Sequence, residues 1–156
     1  MAHTTSHPLV YEINTRCWLR ELAGQPGGSP DSPGLGLGSV PDAEFERWRN
    51  LGFTHIWLMG VWPTGPCSRA AALADPSFGR SLADTVSDWK EEDFAGSAFA
   101  VADYTVAREL GGELGLKKFR KQLHAHGLGL LLDFVPNHLG LDHRWIVERP
   151  DRKSVV

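Results

Sequence analysis

Residues 130–140 read LLLDFVPNHLG, and the rest of the architecture can be worked out from this stretch. Residues 128–135 are almost entirely apolar, which is typical of a β-strand that is covered on both faces. Asp133, Asn137 and His138 then follow within six residues. Ligand-binding groups of parallel α/β sheets gather at the carboxyl ends of their strands. We therefore expect a site where this strand ends.

Two earlier segments also have the pattern of strands, and two have the pattern of helices. Residues 9–13 are β-branched and aromatic, and residues 54–59 form a second apolar run. Residues 39–51 and 113–126 carry apolar residues at helical spacing, and each of these patterns ends just before a glycine. The apolar stripes are Phe45, Trp48 and Leu51 in the first helix and Leu116, Phe119 and Leu123 in the second. The order strand, helix, strand, helix, strand predicts an α/β fold with a parallel sheet and outer helices.

The segments between these elements are expected to be loops. Residues 24–38 are rich in Gly and Pro, which disfavours any regular element. Residues 60–112 contain several aromatic residues without a clear period, and we interpret them as one long irregular loop of functional type.

Composition excludes several classes of function. The chain has 156 residues, about one domain, and a formal net charge of −3, so we expect neither nucleic acid nor a membrane as partner. Cys17 and Cys67 have no metal-binding or disulfide spacing, which favours reduced thiols in a cytoplasmic protein. The first residues, MAHTTSHPLV, lack the basic and apolar regions of a signal peptide.

From residue types alone, the strand end has more than one interpretation. Asp133 could cap a turn, and Pro136-Asn137 is an ordinary turn signal. A small metal-dependent hydrolase using His138, Asp142 and His143 is a further alternative. His124 and His126 also suggest a metal, but residues two apart on a helix point in different directions, so we expect both on the surface.

The segment Asp133 to His138, DFVPNH, resembles the motif that ends the third barrel strand in the α-amylase family of glycoside hydrolases, family 13. Other segments resemble that family in the same order. They are Val10-Tyr11-Glu12-Ile13, Ile56-Trp57-Leu58 with Trp62-Pro63, residues 99–104, Gly111-Gly112 and residues 123–127. The resemblance implies a partial TIM (β/α)8 barrel: its first three parallel strands, two helices and long loops. It predicts an N-terminal tail at 1–8, barrel residues 9–151 and a C-terminal tail at 152–156.

The resemblance also implies roles for individual residues at the catalytic site. His138 matches a histidine that hydrogen-bonds a sugar hydroxyl where the glycosidic bond breaks, and Asp133 matches a buried acid that supports the strand end. Phe99 stands where an aromatic residue stacks on the same sugar. Asn137 matches a residue that supplies a calcium ligand in many members. Gly96 stands where some members specific for the non-reducing end carry an acid.

The family's nucleophile and its acid/base come from the fourth and fifth strands, which this sequence does not contain, since a whole barrel takes about 250 residues. We expect a truncated or frame-shifted part of a retaining hydrolase or transglycosidase of carbohydrate metabolism, inactive alone, that contacts α-glucans or oligosaccharides and self-associates through its strand edges. Glu91, Glu92 and Asp93 are expected to be a solvated run. A non-catalytic glucan-binding remnant using Phe99, Trp62 and His138 is the alternative.

Overall fold

The fold is built on a small parallel sheet. The computed structural model describes residues 7–24 and 35–149. Strands β1 (Val10–Asn14), β2 (His55–Met59) and β3 (Gly129–Leu132) lie side by side in the order β1-β2-β3. Both pairings are parallel, with Ile13 opposite Leu58 and Leu58 opposite Leu132. The predicted strands and their parallel arrangement are confirmed, although β3 is shorter than its apolar run.

Helices connect and follow these strands. They are α1 (Thr15–Leu22), α2 (Asp42–Asn50), α3 (Pro66–Ala74), α4 (Pro76–Thr85), α5 (Gly112–Ala125) and α6 (Trp145–Glu148). The two predicted helices are present as α2 and α5, which cross from β1 to β2 and from β2 to β3. No helix within the described ranges is long and apolar enough to span a bilayer.

The prediction of one irregular loop over residues 60–112 is wrong, because α3 and α4 lie within it. Each begins with a proline, which suits the first helical turn because that position needs no amide donor. The Asp75 side chain also caps α4 by accepting a hydrogen bond of 2.8 Å from the Ser77 amide. Helix α1 was likewise not predicted, although Asn14 caps it in the same way.

The predicted Gly/Pro-rich loop at 24–38 is only partly visible. Residues 25–34 lie outside the described ranges, and Leu37–Ser39 forms a short 3-10 turn with Leu37 buried. The proposed tails also lie largely outside the described residues, so the domain boundaries stay predictions.

An aromatic cluster joins the helices to the sheet. Trp18 of α1, Phe45 and Trp48 of α2 and Phe119 of α5 pack with ring centroids 5.2 to 6.2 Å apart. Aromatic side chains of this size bury large apolar areas, so this cluster supplies much of the core. The central strand β2 is the best covered strand, whereas β3 exposes 40% of Leu131. The expectation that β3 is covered on both faces is therefore wrong, because the face that carries Leu131 is exposed; β3 is also an edge strand in this sheet.

Candidate functional site

Asp133 joins the carboxyl ends of β2 and β3. Its side chain is buried, and one carboxylate oxygen accepts a hydrogen bond of 2.7 Å from the Trp57 indole N–H. The other oxygen accepts a bond of 2.5 Å from the Gly60 amide. The Trp62 indole N–H donates to the Asp133 carbonyl at 2.9 Å. Both carboxylate oxygens are thus engaged by protein donors, which is how buried carboxylates are normally satisfied.

A second set of bonds joins the ends of β1 and β2. The buried Thr15 hydroxyl donates to the Met59 carbonyl at 2.7 Å. The Arg16 guanidinium donates to the carbonyls of Gly60 and Trp62 and forms an ion pair of 2.9 Å with Glu109. The Gly60 amide therefore donates to Asp133, which directly follows β3, and the Gly60 carbonyl accepts from Arg16 of α1. The three strand ends are therefore held together by residues that directly follow β1, β2 and β3.

Tyr104 secures the segment that leaves β3. Its hydroxyl donates to the Val135 carbonyl at 3.1 Å and accepts from the Val135 amide at 2.9 Å. The Tyr104 ring packs edge-on against Trp62 and tilted against Phe134. Sequence analysis assigned no role to Tyr104, Arg16 or Thr15. The only signal for the last two was their position directly after a strand.

The loop carrying His138 folds back onto the segment carrying Phe99. Gly140 donates to the Val101 carbonyl at 3.0 Å, and it lies so close to the Ala100 backbone that a Cβ at position 140 would overlap it. At the other side of this segment, Ala98 packs against Gly60. The Phe99-bearing segment is therefore in contact with both the end of β2 and the loop after β3, as a shared site requires.

The predicted sugar-contacting side chains remain available to a ligand. Phe99 is 40% exposed, and His138 is half-buried. The His138 Nδ1 atom lies 3.5 Å from the amide nitrogen of the exposed Asn137. His138 thus lacks the close partners that would hold it as a purely structural residue within the described part of the chain.

The predicted calcium ligand, Asn137, is an exposed side chain in the loop after β3. Calcium takes six to eight oxygen ligands, usually including several carboxylates. Calcium binding by Asn137 stays a prediction.

Asp142 serves structure rather than metal binding. Its carboxylate accepts hydrogen bonds of 3.0 Å from the amides of Cys67 and Ser68 and so caps α3 from 75 residues away. Burial opposes the charged form, but the bonds from Ser68 and Cys67 outweigh it and hold the pKa of Asp142 below its ordinary value. A hydrogen bond to Asp142, followed by its charge, raises the pKa of the exposed Cys67 thiol.

His143, one of the three residues of the metal-dependent hydrolase that the sequence left open, packs against Trp145. The buried ring accepts a hydrogen bond at Nδ1 from the Trp145 amide and packs edge-on against that indole. The ligand atoms of His138, Asp142 and His143 do not converge among the described residues. The described geometry gives that alternative no support.

A cavity of about 210 Å³ opens beside the ends of β1 and β2. It is lined by residues that include Arg16, Arg20, Asp93 and Gly96. One guanidinium nitrogen of Arg20 is buried without a hydrogen-bond partner among the described residues. Gly96 has φ of +92°, a backbone conformation that L-residues rarely adopt. An acidic side chain at position 96 would therefore be strained, which agrees with its absence from the sequence.

Glu91 and Asp93, in the acidic run beside this cavity, interact with nearby residues. Glu91 lies 3.8 Å from Arg69, and Asp93 accepts a hydrogen bond of 2.9 Å from the Lys90 amide. The Glu92 side chain lies outside the described part. Both described acids are exposed, as predicted.

The sequence and the structure were compared with those of known proteins. No family model matches the chain. It is 24% identical over 148 residues to the 1,4-α-glucan branching enzyme GlgB of Prochlorococcus marinus (strain MIT 9303). That alignment covers 85% of this chain and 16% of the branching enzyme. The structure superposes on an α-amylase from Lactobacillus plantarum with a TM-score of 0.62 and 22% identity. It superposes on the noncanonic maltogenic α-amylase AmyB from Thermotoga neapolitana with a TM-score of 0.59 and 24% identity.

Each of these amylase comparisons covers 92% of this chain and 26% of the amylase. The chain therefore has the fold of the amino-terminal part of α-amylase-family barrels and spans about a quarter or less of the proteins it resembles. The predicted partial TIM barrel is confirmed.

Proposed function

We propose that residues 9–149 form the amino-terminal part of an α-amylase-type catalytic barrel that acts on α-glucans in cytoplasmic carbohydrate metabolism. The observation that carries the proposal is the engagement of Asp133 with both β2 and the turn after it. This buried carboxylate stabilises the end of β3 from which the DFVPNH motif emerges, and so fixes the start of the loop that bears His138. The likeness to glucan-branching and amylase chains supports the substrate class.

In this proposal, His138 and Phe99 contact the sugar at the bond to be broken. A hydrogen bond from His138 to a ring hydroxyl strengthens as the sugar moves toward an oxocarbenium-like transition state. The exposed Phe99 ring offers an apolar face on which a sugar ring can stack. Asp133 is a positioning residue, because both its oxygens already accept protein hydrogen bonds.

We further propose that the 156-residue chain binds glucans without cleaving them. A retaining glycosidase requires a nucleophilic carboxylate and an acid about 5 Å apart across the scissile bond. Several acids of the strand-end region and its loops already have structural partners: Asp133 in the strand-end bonds, Asp142 in capping α3 and Asp93 in capping its own turn. Loss of an acid or base typically removes about 10²–10⁴-fold in rate.

The test is an assay of purified 1–156 on starch, maltooligosaccharides and an activated aryl α-glucoside. We expect no turnover, and weak binding of maltooligosaccharides detected by ligand-observed NMR. Phe99→Ala should weaken that binding. Tyr11→Ala is the matched control, because Tyr11 is an aromatic side chain of similar exposure that stacks on Phe53, before the amino end of β2.

Two outcomes would overturn this function. Equal binding by the Phe99 and Tyr11 variants would remove the stacking role. Turnover by the short chain that disappears in Glu91→Gln, Asp93→Asn or Asp103→Asn would place the catalytic acids in the segment between β2 and α5.

A non-catalytic glucan-binding role is the second candidate, and it is favoured by the exposed Phe99 ring. The two candidates separate in a chimera in which these residues replace the matching part of a structurally similar α-amylase. A catalytic role predicts activity that depends on His138, whereas a binding-only role predicts an inactive chimera that retains affinity.

A further inference from the structure

Three side chains outside the proposed sugar site converge at the junction of α2 and the end of α5. They are Asp42, Glu46 and His126, and each offers a ligand atom within 4.8 Å of the other two. Asp42 and Glu46 are four residues apart on α2 and so lie on the same face of that helix. His126 follows α5, three residues before β3 begins. The cluster is therefore assembled by helix packing.

The hydrogen bonding of His126 defines the state of its ring. Nδ1 lies 2.9 Å from the Gln122 carbonyl, which can only accept, so Nδ1 carries a proton. A neutral ring then presents a bare lone pair at Nε2. This atom lies 3.6 Å from an Asp42 carboxylate oxygen, which is also an acceptor. Two acceptors cannot hydrogen-bond each other directly, so a proton, a water molecule or a metal cation between them would satisfy both.

The surroundings hold the histidine in place and leave the carboxylates free to adjust. The imidazole stacks on Phe45 with a centroid distance of 5.6 Å, and only 14% of its side chain is exposed. Asp42 is 60% exposed, and Glu46 is also exposed. A backbone carbonyl that binds the far nitrogen of an imidazole is the usual outer support of a metal-ligating histidine.

We infer that Asp42, Glu46 and His126 form a binding site for a divalent first-row transition ion such as Zn²⁺. One imidazole nitrogen with two carboxylate oxygens suits this class, whereas Mg²⁺ and Ca²⁺ prefer oxygen ligands alone. Tetrahedral coordination at ligand distances of about 2.0–2.2 Å requires the three atoms to approach to within roughly 3.4 Å of one another. The exposed carboxylates reach that spacing by small rotations, and water completes the coordination. This site is independent of the proposed sugar site.

The experiment is Zn²⁺ titration of the metal-free 1–156 chain by calorimetry and by thermal unfolding. We expect one ion per chain and a melting temperature that rises with Zn²⁺ and not with Mg²⁺. Asp42→Asn combined with Glu46→Gln keeps the stacking of His126 on Phe45 and should lower affinity at least 10-fold. His126→Gln should do the same, with folding checked by circular dichroism.

His124→Gln is the matched control. His124 is an exposed histidine two residues earlier that borders Leu116 and Leu130 on another side of α5. It should bind Zn²⁺ like the unaltered chain. Equal binding by the His126 and His124 variants would overturn the inference, as would the absence of any Zn²⁺-dependent rise in melting temperature. Thiolate charge-transfer bands in the Co²⁺ spectrum would assign the ion to a cysteine and would also overturn it.

Discussion

Replacing Asp133 by Ala tests the arrangement that carries the proposed function. The substitution leaves two donors without acceptors, the Trp57 indole N–H and the Gly60 amide. A buried donor that loses its partner costs about 1–3 kcal/mol. The sum of the two losses is about 2–6 kcal/mol, and access of water to the partly buried Trp57 favours the lower half of that range. Because a whole domain is stable by only about 5–15 kcal/mol, this change alone should unfold a measurable fraction of the chain.

Urea unfolding followed by tryptophan fluorescence measures this loss, and Trp57→Phe completes a double-mutant cycle. That change removes the indole donor, so the combined variant should lose less than the sum of the single variants, with a coupling of about 1–2 kcal/mol. Asp103→Ala is the control, because that carboxylate is exposed and, among the described residues, bonds only its neighbours Tyr104 and Thr105. An Asp133 variant as stable as the Asp103 variant, or a coupling of zero, would refute the reasoning.

Further predictions concern Asp142, the β3 edge of the sheet and His138. Asp142→Ala should lower stability by about 0.5–2 kcal/mol at neutral pH through loss of the α3 cap. Because the pKa of Asp142 is depressed in the folded state, its contribution is complete above the unfolded value of about 3.9 and disappears as the pH falls through the lower folded value. A difference between the two proteins that stays constant down to pH 2.5 in thermal unfolding would contradict this. Leu131→Lys on the β3 edge should reduce self-association in sedimentation, since lysine blocks edge pairing, whereas Leu114→Lys on the exposed face of α5 should not. A monomeric unaltered chain would contradict it. In the amylase chimera, His138→Ala should raise the activation barrier by about 2–4 kcal/mol with little change in melting temperature. Parallel losses of activity and stability would make His138 structural.

Much of the fold could be predicted because its signals are local. The apolar runs that follow α2 and α5 identify β2 and β3. Gly52 and Gly127 mark the ends of these helices, and both have positive φ. Short connections between helix and strand then leave a parallel sheet as the natural arrangement. The position of Asp133 at a strand end followed from the same reasoning.

The missed helices had signals that were outweighed. Asp75-Pro76 is a cap followed by a first-turn proline, and Gly65-Pro66 starts α3 in a similar way. Scattered aromatic residues around them favoured a loop interpretation, and α3 and α4 are small helices without a long apolar stripe. Their prediction required attention to caps rather than to periodicity.

The partners within the sites could not be predicted, because they depend on contacts between distant residues. Trp57 meets Asp133 across 76 residues, and nothing near either residue indicates the other. His126 was expected to be an ordinary surface histidine. Its approach to Asp42 depends on how α2 packs against α5, which sequence spacing within one helix does not report.

The two bonds of Gly60 have a consequence for how the sheet moves. Its amide is tied to Asp133 and its carbonyl to Arg16, so a single peptide segment transmits displacement among the connections that follow all three strands. Its φ of +77° and its contact with Ala98 leave little space for any other residue. Hydrogen exchange at this one amide should therefore report the opening of the entire strand-end region. The surrounding loops can then vary in sequence while the strand ends keep the same positions relative to one another.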